Sequence, residues 1–169
     1  MTPPRVAILL GSSSDRPVME QAVTVLGEFD VACEVVVASA HRTPDLLDRY
    51  VRGAEARGIR VIIAAAGGAA HLAGAAAART VLPVIGVPLE ATGLGGLDAL
   101  LSTVQMPPGI PVATVAIGAW GARNAALLGV EMLAIADDLL RDRLRAHRAG
   151  AAAAIESAAR ATADRGLTD

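Results

Sequence analysis

Five short apolar runs, each ended by glycine, proline or a small polar turn, alternate along this chain with helical patterns, and that alternation restricts the fold more than any other feature. The first run, residues 5–10, reads Arg-Val-Ala-Ile-Leu-Leu and ends at Gly11. Its lack of polar alternation is expected of a strand covered on both faces. A helical pattern follows from Pro17 to Phe29, with Met19, Val23 and Leu26 on one stripe. The second strand is expected at 33–38, and a helix from Pro44 to Arg57 is stopped by Gly58. The third, about 60–65, turns at Gly67-Gly68 into an alanine-rich helix ending near Thr80. Val84 to Val87, closed by Pro88, is the fourth strand, and a helix from about Gly96 to Val104 follows it. Val112 to Ile117 is the fifth, ending at Gly118, and a long helix is expected from Ala122 to His147. Strands alternating with helices over short connections predict a three-layer, doubly wound α/β domain with a five-stranded parallel sheet. The flavodoxin-like order 2-1-3-4-5 is expected at this size, with ligands at the carboxyl ends of the strands beside the switch point.

Apolar residues make up 53% of the chain but aromatics only 2%, so the core has to be built from Ala, Val, Leu and Ile. A net charge of −2 argues against nucleic-acid partners, which call for a basic face. The single Cys33 leaves no internal disulfide and no multi-cysteine metal site, a usage that fits a reducing, cytoplasmic setting. Val61 to Ala78 is uncharged and long enough to raise a transmembrane question. Gly67, Gly68, His71 and Gly74 interrupt it, and alanine is barely lipophilic, so strand, turn and helix are expected there instead of a membrane span. Residues 1–148 are read as one catalytic domain. The alanine-rich tail 149–169 has no apolar stripe of its own, and is read as a helix docked on a neighbouring subunit or as a frayed end.

Three loops carry the functional groups, and the strand order brings them together. Gly11-Ser-Ser-Ser-Asp15 leads into a helix N-terminus, where exposed N–H groups favour an anion such as phosphate. Ordinary capping by Ser14 or Asp15 explains the same residues. Neither the lysine of a P-loop nor the glycines of a dinucleotide fingerprint are present. Ser39-Ala40-His41-Arg42-Thr43-Pro44 is a strand-to-helix loop, with Thr43 as N-cap and Pro44 as first helical residue. Arg42 is suited to a bidentate phosphate contact, or to a salt bridge with Asp45 or Asp48. His41 is a candidate general acid and base near neutral pH, and His71 joins it from a second strand-end loop. Gly67-Gly68-Ala69-Ala70 permits close backbone approach to a ligand, or needs positive φ for the turn itself. His147, among arginines at a helix end, is expected to be solvated. No carboxylate pair, metal-ligand cluster or activated serine arrangement is visible. A flavodoxin- or receiver-like binding module is disfavoured by the scarcity of aromatics and of acidic residues at the strand ends.

The motifs at 11–15, 39–44 and 67–72, with Val-Gln-Met-Pro (104–107), Ala-Ile-Gly (116–118) and Asn-Ala-Ala-Leu-Leu (124–128), resemble the bacterial PurE family of purine biosynthesis. The resemblance runs in order from about residue 5 to 147. It implies a mutase that interconverts two carboxylated aminoimidazole ribonucleotides, N5-CAIR and CAIR, with no metal or organic cofactor. By the same resemblance Ser12, Ser14 and Arg42 hold the 5′-phosphate, Asp15 the ribose, and Ser39 and Ala40 line the pocket. His41 shuttles the proton, Gly67, Gly68, Ala69 and Ala70 form the wall against which CO₂ lies, and His71 with Leu72 closes it. A second branch, carboxylases that take free CO₂, typically has lysine in place of Arg42 and lacks the Gly-Gly-Ala-Ala-His loop, which puts this chain on the mutase side. The family assembles as a homo-octamer. Family members often have proline and methionine where Ala73 and Ala75 stand, and Arg16 and Trp120 also depart from the pattern, so changes are expected below the pocket and at its rim.

Overall fold

The computed structural model describes residues 3–163. The strands are β1 (Val6–Leu10), β2 (Cys33–Val37), β3 (Val61–Gly67), β4 (Val84–Leu89) and β5 (Ala113–Thr114). The helices are α1 (Arg16–Glu28), α2 (Pro44–Arg52), α3 (Leu72–Ala77), α4 (Leu97–Val104), α5 (Gly118–Ala134) and α6 (Asp138–Ala163). All pairings are parallel and the sheet order is β2-β1-β3-β4-β5, the expected one.

The register positions the functional loops. Leu10 lies opposite Val37 on one side and Ala65 on the other, so β1, β2 and β3 release their following loops at nearly the same level. Sequence alternation sorts the core into two layers. Val6, Ile8 and Leu10 of β1, with Ile63 of β3 and Ile85 of β4, face α1 and α5. Ala7, Leu9, Ile62 and Ala64 face the side covered by Leu47 and Val51 of α2 and by Leu72, Ala73 and Ala76 of α3. Ile8, Leu9 and Leu10 are fully buried, and truncating any of them to alanine costs about 2–5 kcal/mol. The alanines on the second face let α3 sit close against β3.

Several boundaries differ from expectation, each for a physical reason. The helix expected to Arg57 ends at Arg52, and a separate 3₁₀ turn, Glu55–Arg57, precedes Gly58, whose φ of +98° makes it the true stop. The helix expected to reach Thr80 ends at Ala77. β4 continues through Pro88 to Leu89. The Gly86 carbonyl accepts from Val115, so residue 88, two further on, also faces the β5 edge, where β5 has already ended and no donor is missed. β5 is reduced from the expected six residues to Ala113 and Thr114. The long helix is broken near residue 136. Asp137 accepts from the Leu140 N–H and starts α6, while the Arg141 guanidinium donates to the Ala134 and Ile135 carbonyls at the end of α5. Asp137-Asp138 was the available start signal. His147 is partly buried in α6, its ring 5.3 Å from that of Phe29, and is not the solvated residue expected. α6 crosses position 148 without interruption, and residues 164–169 of the tail lie outside the described residues. Among the described residues no helix is long and apolar enough to cross a membrane.

Candidate active site

The loop after β1 is held by a capping box. Ser12 Oγ accepts from the Ser14 N–H at 3.3 Å and from the Ser14 hydroxyl at 2.9 Å, while Asp15 Oδ2 accepts from the Ser12 N–H at 2.8 Å. Capping therefore falls to Ser12 and Asp15 together, not to Ser14 or Asp15 alone. Partial burial raises the Asp15 carboxyl above its usual range, against the lowering pull of the Ser12 N–H, the Ser14 hydroxyl and Arg42.

The loop after β2 is tied to itself by side chains. Thr43 Oγ1 accepts from the Ser39 N–H at 2.9 Å and donates to the Ser39 carbonyl at 3.2 Å, so this N-cap threonine bonds backwards into the loop. Ser39 Oγ in turn accepts from the Arg42 N–H at 3.2 Å. The Arg42 guanidinium donates to the Gly11 carbonyl at 3.1 Å, which links this loop to the preceding one. Asp48 is engaged by Arg52 at 2.9 Å and Arg79 at 3.0 Å, so the salt bridge considered for Arg42 with that residue does not form. One of five guanidinium N–H donors is used at Gly11, and the planar fork keeps capacity for a phosphate.

The loop after β3 is shaped by backbone. A Cβ on Gly67 would lie 2.3 Å from the Ala91 Cβ and 3.1 Å from the Leu89 carbonyl oxygen, so only glycine fits beneath the segment leaving β4. Gly68 has φ +61° and Ala70 φ +44°, the latter a strained conformation for a residue bearing Cβ. The turn delivers His71 to the N-cap position of α3, where its Nδ1 lies 2.7 Å from His41 Nε2. The rings meet edge to face, with centroids 4.8 Å apart.

These loops surround a cleft of about 350 Å³ at the carboxyl edge of the sheet. Ser12, Ser14 and Asp15 line it from the first loop, Ser39, Ala40, His41 and Arg42 from the second, and Gly67, Ala70, His71 and Leu72 from the third. Gly68 and Ala69 do not line it. Gly11, which opens the first motif, also lines it, as do Ala66 and Ala91, which were not singled out from sequence. Ala91 follows β4, the neighbour of β3 in the sheet, so the strand order was the signal that could have found it. Ala73 is buried and Ala75 half-buried, both outside the cleft lining. Arg16 pairs with Glu20 on the surface of α1, and Trp120 is 80% exposed.

The switch-point loops of this parallel α/β sheet thus bring two bonded imidazoles, a guanidinium, hydroxyls and a carboxylate to one cleft, a set of groups that can hold an anion and move a proton. The sequence matches the AIR carboxylase family over residues 5–154, and the chain belongs to that family. Its relatives include the N5-carboxyaminoimidazole ribonucleotide mutase of Pyrococcus abyssi, 58% identical over 86% of this chain and 82% of that one. The Mycobacterium tuberculosis enzyme of the same name is 59% identical over 85% of this chain and 84% of that one. The crystal structure of Treponema denticola PurE superposes with a TM-score of 0.85 at 27% identity, covering 98% of this chain and 99% of that one.

Proposed function

We infer that this chain is an N5-carboxyaminoimidazole ribonucleotide mutase, interconverting N5-CAIR and CAIR. The observation that carries the reading is the convergence of all three loops on one cleft, in a chain 58–59% identical to relatives bearing that name. Arg42, Ser12 and Ser14 bind the 5′-phosphate as charge-assisted and neutral donors. Asp15 accepts from ribose hydroxyls, and Ser39 and Ala40 line the same pocket. A carbamate on nitrogen loses CO₂ once that nitrogen is protonated. His41 supplies this proton, the C–N electron pair returns to nitrogen, and CO₂ is held in place until C4 of the imidazole attacks it. The C4 proton then returns to His41, so one side chain serves as acid and then as base. Gly67 and Ala70, backed by Gly68 and Ala69, present a wall without bulky side chains to the CO₂, and His71 with Leu72 closes it.

We also propose a homo-octamer acting in the cytoplasm, with residues 1–148 as its catalytic domain and the tail as an added helical segment. Leu97, Leu101 and Val104 of α4, with Leu94 just before it, are apolar and each about half or more exposed on the single chain, which supports burial between copies.

The test supplies N5-CAIR labelled at the carbamate carbon, in buffer containing unlabelled bicarbonate. Label retained in CAIR is the expected result. Label lost to solvent, with CAIR formed equally well from aminoimidazole ribonucleotide and bicarbonate, means a carboxylase. His41→Asn is expected to lower kcat by at least about 100-fold while leaving ligand affinity near that of the parent. Near-normal turnover would remove His41 from the acid–base role.

A further inference from the structure

A second hollow, of about 500 Å³, adjoins the cleft where α1 and α5 begin. The two share Ser14, Asp15 and Ala91, so Asp15 stands at the boundary between them. Beyond that boundary the hollow is lined by Glu90 and by Gly118 and Ala119 at the start of α5. Leu89 lies opposite Gly67 in the register, so Glu90 leaves β4 level with the turn that follows β3. A Cβ on Gly96 would lie 3.3 Å from Glu90 Cγ, so the missing side chain there leaves room for the glutamate stem. Among the described residues the Glu90 carboxylate has no ion-pair partner, whereas Glu20, Glu34, Glu131 and Glu156 each pair with an arginine. No side chain caps α5, and its N-terminal end lies in the same hollow, where it offsets part of the repulsion between Asp15 and Glu90.

A ribose edge carries two neighbouring hydroxyls, each of them a donor. Asp15 already accepts from the Ser12 N–H, so its carboxylate holds the loop as well as the ligand. Glu90 brings a second carboxylate to the same edge with no bond of its own to keep. We propose that Glu90 is a specificity-determining residue: its carboxylate accepts from the ribose 2′-hydroxyl, while Asp15 holds the diol from the 3′ side. The proposal rests on the mutase reading above. A bound ligand without the 2′-hydroxyl shields this carboxylate from water and returns no hydrogen bond. The site therefore selects ribonucleotides against their 2′-deoxy counterparts.

The order of groups along the ligand gives each carboxylate its hydroxyl. In a ribonucleotide the 3′ carbon lies toward the phosphate-bearing end and the 2′ carbon toward the base. Asp15 follows directly on Ser12 and Ser14, the serines assigned to the phosphate. Glu90 adjoins Ala91, which packs against Gly67 in the wall assigned to the reacting end of the base. The 2′-hydroxyl thus falls on the Glu90 side of the shared boundary.

The experiment measures binding of CAIR, 2′-deoxy-CAIR and 3′-deoxy-CAIR by titration calorimetry to the parent, Glu90→Ala and Glu90→Gln. Glu90 is exposed on the single chain, so both variants are expected to keep the fold. The parent should bind CAIR about 30-fold more tightly than 2′-deoxy-CAIR. Glu90→Ala should weaken CAIR by about 20-fold, leave 2′-deoxy-CAIR within about 3-fold of its parental affinity, and keep the parental penalty for 3′-deoxy-CAIR. Glu90→Gln, whose amide oxygen still accepts, should recover at least about 5-fold of that loss. Equal losses for CAIR and 2′-deoxy-CAIR in Glu90→Ala would overturn the assignment, since the effect would then not pass through the hydroxyl. A parent that binds both ligands equally would overturn it without any variant, and would leave the mutase reading standing. Failure of the parent to convert N5-CAIR at all would instead defeat the reading on which the proposal rests.

Discussion

The loops that carry the two histidines hold them by opposite means. Residues 39–43 are fixed by side-chain hydrogen bonds, with Thr43 and Ser39 tied to each other's backbone and Arg42 bonded across to Gly11. Within residues 67–71 a backbone bond runs from the Ala70 N–H to the Gly67 carbonyl at 3.2 Å, and the turn otherwise depends on positive φ and on contact with Ala91. A loop of the first kind loses about 1 kcal/mol when one bond is removed and stays in place. A loop of the second kind has no side-chain bond to its own backbone to lose, and at Gly67 a single added methyl group must move backbone. His41 and Arg42 thus sit on a tolerant support, while Gly67, Ala70 and His71 sit on an intolerant one.

That contrast is testable from both sides. Arg42→Ala should leave the fold intact and weaken binding of CAIR by about 100-fold, equivalent to about 2.7 kcal/mol, with kcat changed only a few-fold. Titration calorimetry decides it, since unchanged affinity would reduce Arg42 to a tether for Gly11. Gly67→Ala is the counterpart on the other loop. Its Cβ meets the Ala91 Cβ, which is fixed to the backbone and cannot swing aside, so a stability loss of about 1–3 kcal/mol is expected together with reduced kcat. Thermal unfolding with and without CAIR measures both effects. A Gly67→Ala protein with parental stability and rate would show that the loop can yield, and the comparison would fail.

The same contrast explains what could be read from sequence. The strand order, both histidines, Arg42 and the hydroxyls were legible because apolar runs ending in polar, glycine-bearing loops have few solutions in a parallel sheet. The resemblance carried by the 39–44 and 67–72 motifs joined them to one chemistry. Arg42's choice of Gly11 over Asp48 was not legible, since it depends on Arg52 and Arg79 competing for the same carboxylate. Nor was Ala91, an unremarkable residue that matters because Gly67 leaves room beneath it. The break at Asp137 was missed because the helical stripe on either side looks continuous, and only Arg5, Arg141 and the Leu140 N–H make that aspartate a terminus. His147 was misplaced for a related reason: its burial against Phe29 joins residues far apart in the chain.

The loop after β1 belongs with the hydrogen-bonded kind, and it allows the smallest test. Burial raises the Asp15 carboxyl more than its bonds to Ser12 and Ser14 and the charge of Arg42 lower it. A carboxyl whose folded pKa lies above its unfolded value of about 4 favours folding most when protonated. Its contribution is fully present below the unfolded pKa and is lost as pH rises through the folded one, so ionised Asp15 is a small stability cost at neutral pH. Asp15→Asn removes the charge and keeps an oxygen for the Ser12 N–H. It should unfold about 1–3 °C higher than the parent at pH 7, with the gap closing below about pH 4, while binding of CAIR weakens through loss of the ribose acceptor. A lower midpoint at pH 7 would mean that the Ser12, Ser14 and Arg42 contacts outweigh burial. The first loop would then owe its stability to the charged form of the group proposed to bind the ribose. The expected result instead makes Asp15 a residue kept for the ligand at the expense of the fold.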